Sequence, residues 1–141
     1  MTQEFAAQEF TTDWLRTTQL TWDQLLPQFK PRRLLEVGSY EGASTCYAIK
    51  LLSGLVDHLE IHCIDTWEGG IEHQLEGVDM AEVEARFKRN LAIEIENAAC
   101  TVDLHIHKST SAIALAQLIA DGKAGYFDFA YIDGSHQRRM F

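Results

Sequence analysis

The chain has 141 residues, one domain's worth, with 12 Lys and Arg against 21 Asp and Glu for a net charge of −9. That balance argues against an electrostatic grip on nucleic acid or an anionic membrane, and 46% hydrophobic residues argue against disorder. No apolar run approaches the roughly 18 residues of a spanning helix.

The opening Met1-Thr2-Gln3-Glu4-Phe5 has neither a basic nor an apolar leader, so no signal peptide is expected. Cys46, Cys63 and Cys100 are odd in number and widely spaced, and read as reduced thiols packed in a cytoplasmic chain. Residues 1–31 read as a helical cover. Thr11, Thr12 and Asp13 can cap a helix carrying Trp14, Leu15 and Thr18. Thr21-Trp22-Asp23-Gln24 has capping-box spacing, so a second short helix is expected to restart there and run through Leu25, Leu26 and Phe29. Pro27 and Pro31 bracket a connector.

From residue 32 the pattern alternates. Leu34-Leu35-Glu36-Val37 reads as a strand stopped by Gly38, and 43–56 as a helix with Tyr47, Leu51, Leu52 and Leu55 inward. Ile61 to Asp65 is a second strand, and Glu68 to Val78, with three glycines, a loop. Asp79-Met80-Ala81-Glu82 opens a helix with Val83, Phe87 and Leu91 on one face, and Glu82 with Arg86 and Glu84 with Lys88 as i, i+4 pairs. Val102 to His107 is a third strand, Ser109-Thr110-Ser111 caps a helix that Asp121-Gly122 ends, and Phe127 to Ile132 is a fourth. Alternation of this kind predicts an α/β fold with a doubly wound parallel sheet, in which ligands bind beyond the carboxyl ends of the strands. Three strands end in acidic elements: Glu36-Val37-Gly38, Asp65 and Asp133-Gly134.

Glu36-Val37-Gly38-Ser39-Tyr40-Glu41-Gly42 places two glycines in a strand-to-helix turn. It is neither the dinucleotide fingerprint nor a P-loop. Glu36 and Glu41 beside such a turn suit a ligand carrying positive charge, such as an ammonium or a sulfonium. Gly42 lets either a ligand or a helix approach closely. A strand-end Asp65 can accept two hydrogen bonds from a ribose diol. Against this stand plainer readings: a simple turn for the glycines, a cap or surface carboxylate for Asp65, and a turn-forming Asp-Gly at Asp133. His105 and His107 lie on one face of the third strand, a spacing that serves a metal or the polar face of an edge strand.

The turn at 36–42, Cys63-Ile64-Asp65-Thr66-Trp67 and Tyr131-Ile132-Asp133-Gly134-Ser135-His136 together resemble class I S-adenosylmethionine-dependent methyltransferases. The Asp-Gly-Ser-His ending and Phe10-Thr11-Thr12-Asp13-Trp14 are similar to its small-molecule O-methyltransferase branch. The resemblance implies a Rossmann-like fold of seven strands, of which this chain supplies the first four behind N-terminal helices. Residues 32–141 would then be the cofactor-binding half. It further implies S-adenosylmethionine as cofactor and a small-molecule or sugar acceptor. Glu36, Gly38, Ser39, Tyr40, Gly42 and Ser44 would cradle its methionine part, and Asp65 would hold the ribose. Thr66 and Trp67 would border the adenine, with Ser109 at its edge. Asp133 would lie beside the methyl group, and His136 would serve as general base. In metal-dependent relatives Asp133 is one magnesium ligand. The further acid expected two positions on is here Ser135.

The chain stops after the fourth strand, with Gln137-Arg138-Arg139-Met140-Phe141 continuing no amphipathic helix. A truncated methyltransferase with an unpaired strand edge, open to homodimerisation, is therefore expected. Three functions follow: methyl transfer to a hydroxyl, a remnant that binds the cofactor without turnover, and an interaction module using that edge.

Overall fold

The structure, a computed structural model, describes residues 7–69 and 77–133. Four strands, β1 (Arg33–Val37), β2 (His58–Asp65), β3 (Thr101–Lys108) and β4 (Phe129–Ile132), form one parallel sheet in the order β3-β2-β1-β4. The helices are α1 (Arg16–Phe29), α2 (Ala43–Leu52), α3 (Met80–Glu96) and α4 (Ser111–Ala120). The chain steps outward from β1 through β2 to β3, then returns past β1 to β4. Right-handed crossovers put α2 and α3 on one face and, once the direction reverses, α4 on the other. The packing agrees. Trp22 and Leu26 of α1, Ile49 and Leu52 of α2, and Val83, Phe87 and Leu91 of α3 share one core with Leu34, Ile61 and Cys63. Ala114 and Leu118 of α4 pack with Leu35, Val37 and Ile64 on the opposite face.

Strand position explains strand composition. In β1 every residue from Leu34 to Val37 is buried, as a parallel strand covered on both faces must be. β3 and β4 lie at the sheet's edges among the described residues, and their burial is partial and roughly alternating. Ile132 on β4 is 66% exposed.

The expected elements are present, with longer β2 and β3 and a shorter α2 and β4. Asp79 caps α3 by accepting from the N–H groups of Ala81 and Glu82, Thr110 caps α4 through Ile113 N–H, and both glutamate pairs on α3 form. The helical preface differs. α1 runs unbroken through Thr21, because Trp22 and Leu26, one turn apart, are both buried. The Trp22 ring packs nearly perpendicular to Phe129 and Tyr131, at 5.5 and 4.9 Å between centroids. A break at Thr21 would turn one of the two off the core. Pro27 sits inside the last turn, so the connector to β1 begins only at Lys30, which closes the helix in a left-handed conformation. Thr11 and Thr12 cap nothing; they are held elsewhere, as described below. Cys46 and Cys63 are buried free thiols, and burial pushes both pKa values up.

Gly42 has φ +88°, and a Cβ added there would lie 2.5 Å from Leu91 Cδ2 and 3.1 Å from Phe87 Cδ1. Of the two uses expected for this glycine, close approach of a helix is the one the structure shows, and the helix is α3. Gly42→Ala combines left-handed strain with overpacking. It is expected to destabilise the fold by about 2–4 kcal/mol in urea unfolding. A loss below about 1 kcal/mol would mean that α3 shifts freely.

Candidate active site

The strand order reverses between β1 and β4, so the crevice beyond their carboxyl ends is the expected ligand position for an open α/β sheet. A shallow, solvent-open cleft lies there. Its walls are Gly38, Ser39, Tyr40, Glu41, Ala43 and Ser44 after β1, Tyr131 and Asp133 at the end of β4, and Thr12, Trp14 and Leu15 from the N-terminal segment.

Behind the turn, Glu36 is 5% exposed and accepts hydrogen bonds from the hydroxyls of Ser39 (2.9 Å), Ser44 and Thr45. Burial pushes its carboxyl up from 4.5 to about 7; the three hydroxyls pull it down, and the negative charge of Asp133 adds to the rise. Glu36 thus lies under the cleft as a carboxyl poised between its two protonation states.

Asp65 organises the turn. Its Oδ2 accepts from Tyr40 N–H at 2.8 Å and its Oδ1 from Trp67 N–H at 2.9 Å. Both donors have left-handed backbones, with φ 51° and 52°, strained for residues with a Cβ. The Asp65 carboxylate thus helps hold both in place. With one N–H on each oxygen it retains acceptor capacity. The Trp67 indole N–H donates to Tyr40 carbonyl oxygen at 2.7 Å, while its ring is buried against Phe87 at 4.9 Å. Trp67 therefore positions Tyr40 from within the core, whereas the family resemblance placed it at the adenine. Thr66 accepts from Glu68 N–H, and Ser109 N–H donates to Asp65 carbonyl oxygen at 3.0 Å.

Of the residues singled out in the sequence, Gly38, Ser39, Tyr40, Glu41, Ser44 and Asp133 meet around one cleft. Glu36 lies beneath it, and Asp65, Thr66 and Ser109 gather at the neighbouring ends of β2 and β3. Gly42 and Trp67 face the core. His136, Ser135, Gly134 and most of the 68–78 loop lie outside the described residues.

Glu41 departs from expectation. It lines the cleft, yet its carboxylate is 1% exposed and is taken up in holding the N-terminal segment down rather than standing free for a cationic ligand. It accepts from Thr11 N–H (2.8 Å), Thr11 Oγ1 (3.0 Å), Thr12 N–H (3.2 Å) and Thr12 Oγ1 (3.3 Å), with Arg86 Nε at 3.4 Å. Asn90, fully buried on α3, completes the fastening. Its amide donates to the carbonyl oxygens of Glu9 and Glu41 and accepts from Glu9 N–H. The segment then carries Trp14 over the turn, its ring 4.9 Å from Tyr40.

Sequence reasoning missed Thr12, Leu15 and Tyr131 as cleft walls. Burial, together with the charge of Asp133, raises the Tyr131 pKa. No local pattern marks these residues, since their partners lie on other elements. The Thr11-Thr12-Asp13-Trp14 run was the one available signal.

A family model described as a methyltransferase domain matches residues 35–140. The chain belongs to this methyltransferase family. A search of curated proteins returns no match. Among solved structures, the O-methyltransferase TomG from Streptomyces achromogenes, involved in tomaymycin synthesis and in complex with SAM, is 21% identical with a TM-score of 0.51. The match covers 81% of this chain and 42% of TomG. An O-methyltransferase from Bacillus cereus in complex with SAH is 20% identical with a TM-score of 0.54, covering 94% of this chain and 49% of that one. At these identities the likeness shows the shared Rossmann-like fold. The methyltransferase chain described here spans less than half the length of either neighbour. Among its described residues, no helix is long and apolar enough to cross a membrane.

Proposed function

We propose that this domain binds S-adenosylmethionine and serves methyl transfer to a hydroxyl of a small molecule or sugar. Residues 1–31 would act as its cover and 32–141 as its cofactor half. The observation that carries the reading is the cleft at the reversal of strand order, bounded by the Gly38–Ser44 turn and Asp133 and underlain by Glu36. The donor set fits a cation bearing a ribose. Asp133 and Glu36 supply negative charge beside and beneath the cleft, the Gly38–Tyr40 backbone and Ser44 hydroxyl supply polar contacts, and Asp65, which keeps acceptor capacity at the end of β2, would hold the diol with Ser109 nearby. Solved neighbours of the same fold were crystallised with SAM and SAH.

Bound S-adenosylmethionine supplies a methyl group already activated as a sulfonium. The chain's residues then have two tasks. The turn, Asp133 and the Trp14–Tyr40 pair hold and orient the donor and exclude water, and positioning provides most of the acceleration. A hydroxyl acceptor must also lose a proton, the role proposed for His136. Magnesium does not fit equally well. Among the described residues no cluster of three metal-binding side chains forms around Asp133, while Mg²⁺ asks for several oxygen ligands.

Calorimetric titration tests the reading. The folded protein is expected to bind S-adenosylmethionine, and Asp133→Asn to weaken binding about tenfold through loss of one charge contact. Asp65→Ala is expected to weaken it further and to weaken adenosine as well. No heat at millimolar ligand from a folded sample would refute the proposal. A labelled-methyl assay over sugars and phenols separates turnover from binding alone.

A second reading, self-association through the β4 edge, is favoured by the exposed Ile132 and by pairing of β4 on one side only among the described residues. Light scattering that shows a monomer at high concentration would exclude it. The free Cys46, Cys63 and Cys100 are compatible with the cytoplasmic setting proposed for the chain.

A further inference from the structure

We propose that Glu60, His62 and His105 form a binding site for a zinc-class transition-metal ion, clasping β2 to β3 on the α4 face of the sheet. The site is separate from the methyltransferase cleft. It lies in the middle of the strands rather than beyond their ends, and none of its residues lines the cleft. It is built by register. His62 pairs directly with His105 and Glu60 with Asp103, so residues that alternate along each strand fall on one face.

Among the described residues this is the one group of three metal-binding side chains whose ligand atoms converge, all within 4.8 Å of one another. Zinc bonds of roughly 2.0–2.2 Å put tetrahedral ligands about 3.4 Å apart, so Glu60 and His62 need shift little, whereas the half-exposed His105 ring, parallel to His62 within 5°, must rotate to aim a nitrogen at the ion. Two imidazoles and one carboxylate are a zinc donor set that leaves a fourth position for water. They equally suit Cu²⁺ or Ni²⁺ and disfavour Mg²⁺ or Ca²⁺.

The second observation is that every candidate ligand already has an outer partner. The Tyr126 hydroxyl donates to Glu60 Oε1, leaving Oε2 directed at His62 Nε2, 2.8 Å away. His62 Nδ1 faces His107 Nε2 at 2.9 Å, so an ion on His62 Nε2 leaves its ring proton on Nδ1, where His107 accepts it. His105 Nε2 contacts Asp103 Oδ2 at 3.1 Å, which leaves Nδ1 free to coordinate once the ring turns out of its parallel stack on His62, 4.3 Å away between centroids. Such outer partners set the tautomer and orientation of metal-binding histidines. An entry path exists as well. The His62 side chain is 3% exposed, whereas His105, on the edge strand, is 42% exposed.

The test uses the whole chain stripped by chelator, with Zn²⁺ alone as titrant and Co²⁺ as a spectroscopic substitute. One Zn²⁺ per chain, a higher melting temperature and a visible Co²⁺ spectrum of four-coordinate type are expected. His105→Ala, at an exposed position that leaves the fold intact by circular dichroism, is expected to weaken binding at least tenfold, and Glu60→Gln likewise. His58→Ala, an exposed histidine at the start of β2, is expected to change nothing. The absence of Zn²⁺ binding by folded protein at tens of micromolar would overturn the proposal, leaving a polar histidine stack. So would equal affinity in His105→Ala and Glu60→Gln, or a loss in His58→Ala as large as theirs.

Discussion

Glu41→Ala is expected to lower the unfolding free energy by about 3 kcal/mol and to free the N-terminal segment for proteolysis near residues 10–13. The side chain is 1% exposed, and its removal strands two backbone N–H groups, two hydroxyls and the Arg86 guanidinium. Breaking a buried charged pair from one side costs roughly 3–5 kcal/mol, because the partner remains desolvated. Arg86, with its side chain 14% exposed, recovers some water, which places the estimate at the lower end. Glu41→Gln, which keeps one acceptor oxygen, is expected to lose about half as much. The same variant removes the Thr12, Trp14 and Leu15 wall of the cleft, so ligand affinity falls along with stability. Urea unfolding that shows a loss below about 1 kcal/mol, with unchanged protease resistance, would refute the fastening role.

Glu36 carries the second large effect, a dependence of stability on pH. Its folded carboxyl is raised from 4.5 to about 7 by burial. Below pH 4.5 the group is protonated in both the folded and unfolded chains, and its contribution to stability is fully present. As pH rises from 4.5 through 7 the unfolded chain releases the proton more readily, and that contribution is lost. The full loss corresponds to roughly 3 kcal/mol. Glu36→Gln keeps a neutral group among the hydroxyls of Ser39, Ser44 and Thr45 and is expected to flatten this part of the profile. Parallel stability curves for the two proteins between pH 4.5 and 8 would refute the shift. Ligand binding should run in the opposite direction. A cation in the cleft favours the ionised Glu36, so affinity for S-adenosylmethionine is expected to rise with pH through about 7 in the native protein and stay level in Glu36→Gln.

The two carboxylates show what local sequence could and could not convey. Both flank the same glycine turn, and both suggested a cationic ligand. Glu36 lies under the cleft because alternation in β1 turns it inward, beside Cys63 of β2. Glu41 lies five residues on, yet its partners are Thr11, Thr12 and Arg86, some 30 and 45 residues away. No spacing rule reaches that far. Trp67 is similar. Its neighbour Asp65 marks a strand end in the sequence, but only the packing of Phe87 from α3 decides that the ring faces the core.

The order of elements, the parallel sheet, the glycine turn and the acidic strand ends followed from the sequence alone. They rest on local physics: apolar periodicity sets each element, capping residues set helix starts, and handedness sets the crossovers. Tertiary structure decided the rest. It made one helix of the preface because Trp22 and Leu26 must share a core, drew the N-terminal segment over the cleft through Glu41 and Asn90, and used Gly42 to admit α3. It also paired β2 with β3 in the register that stacks His62 on His105. Each of these depends on which distant groups meet when water is excluded, and a sequence read in windows carries no term for that encounter.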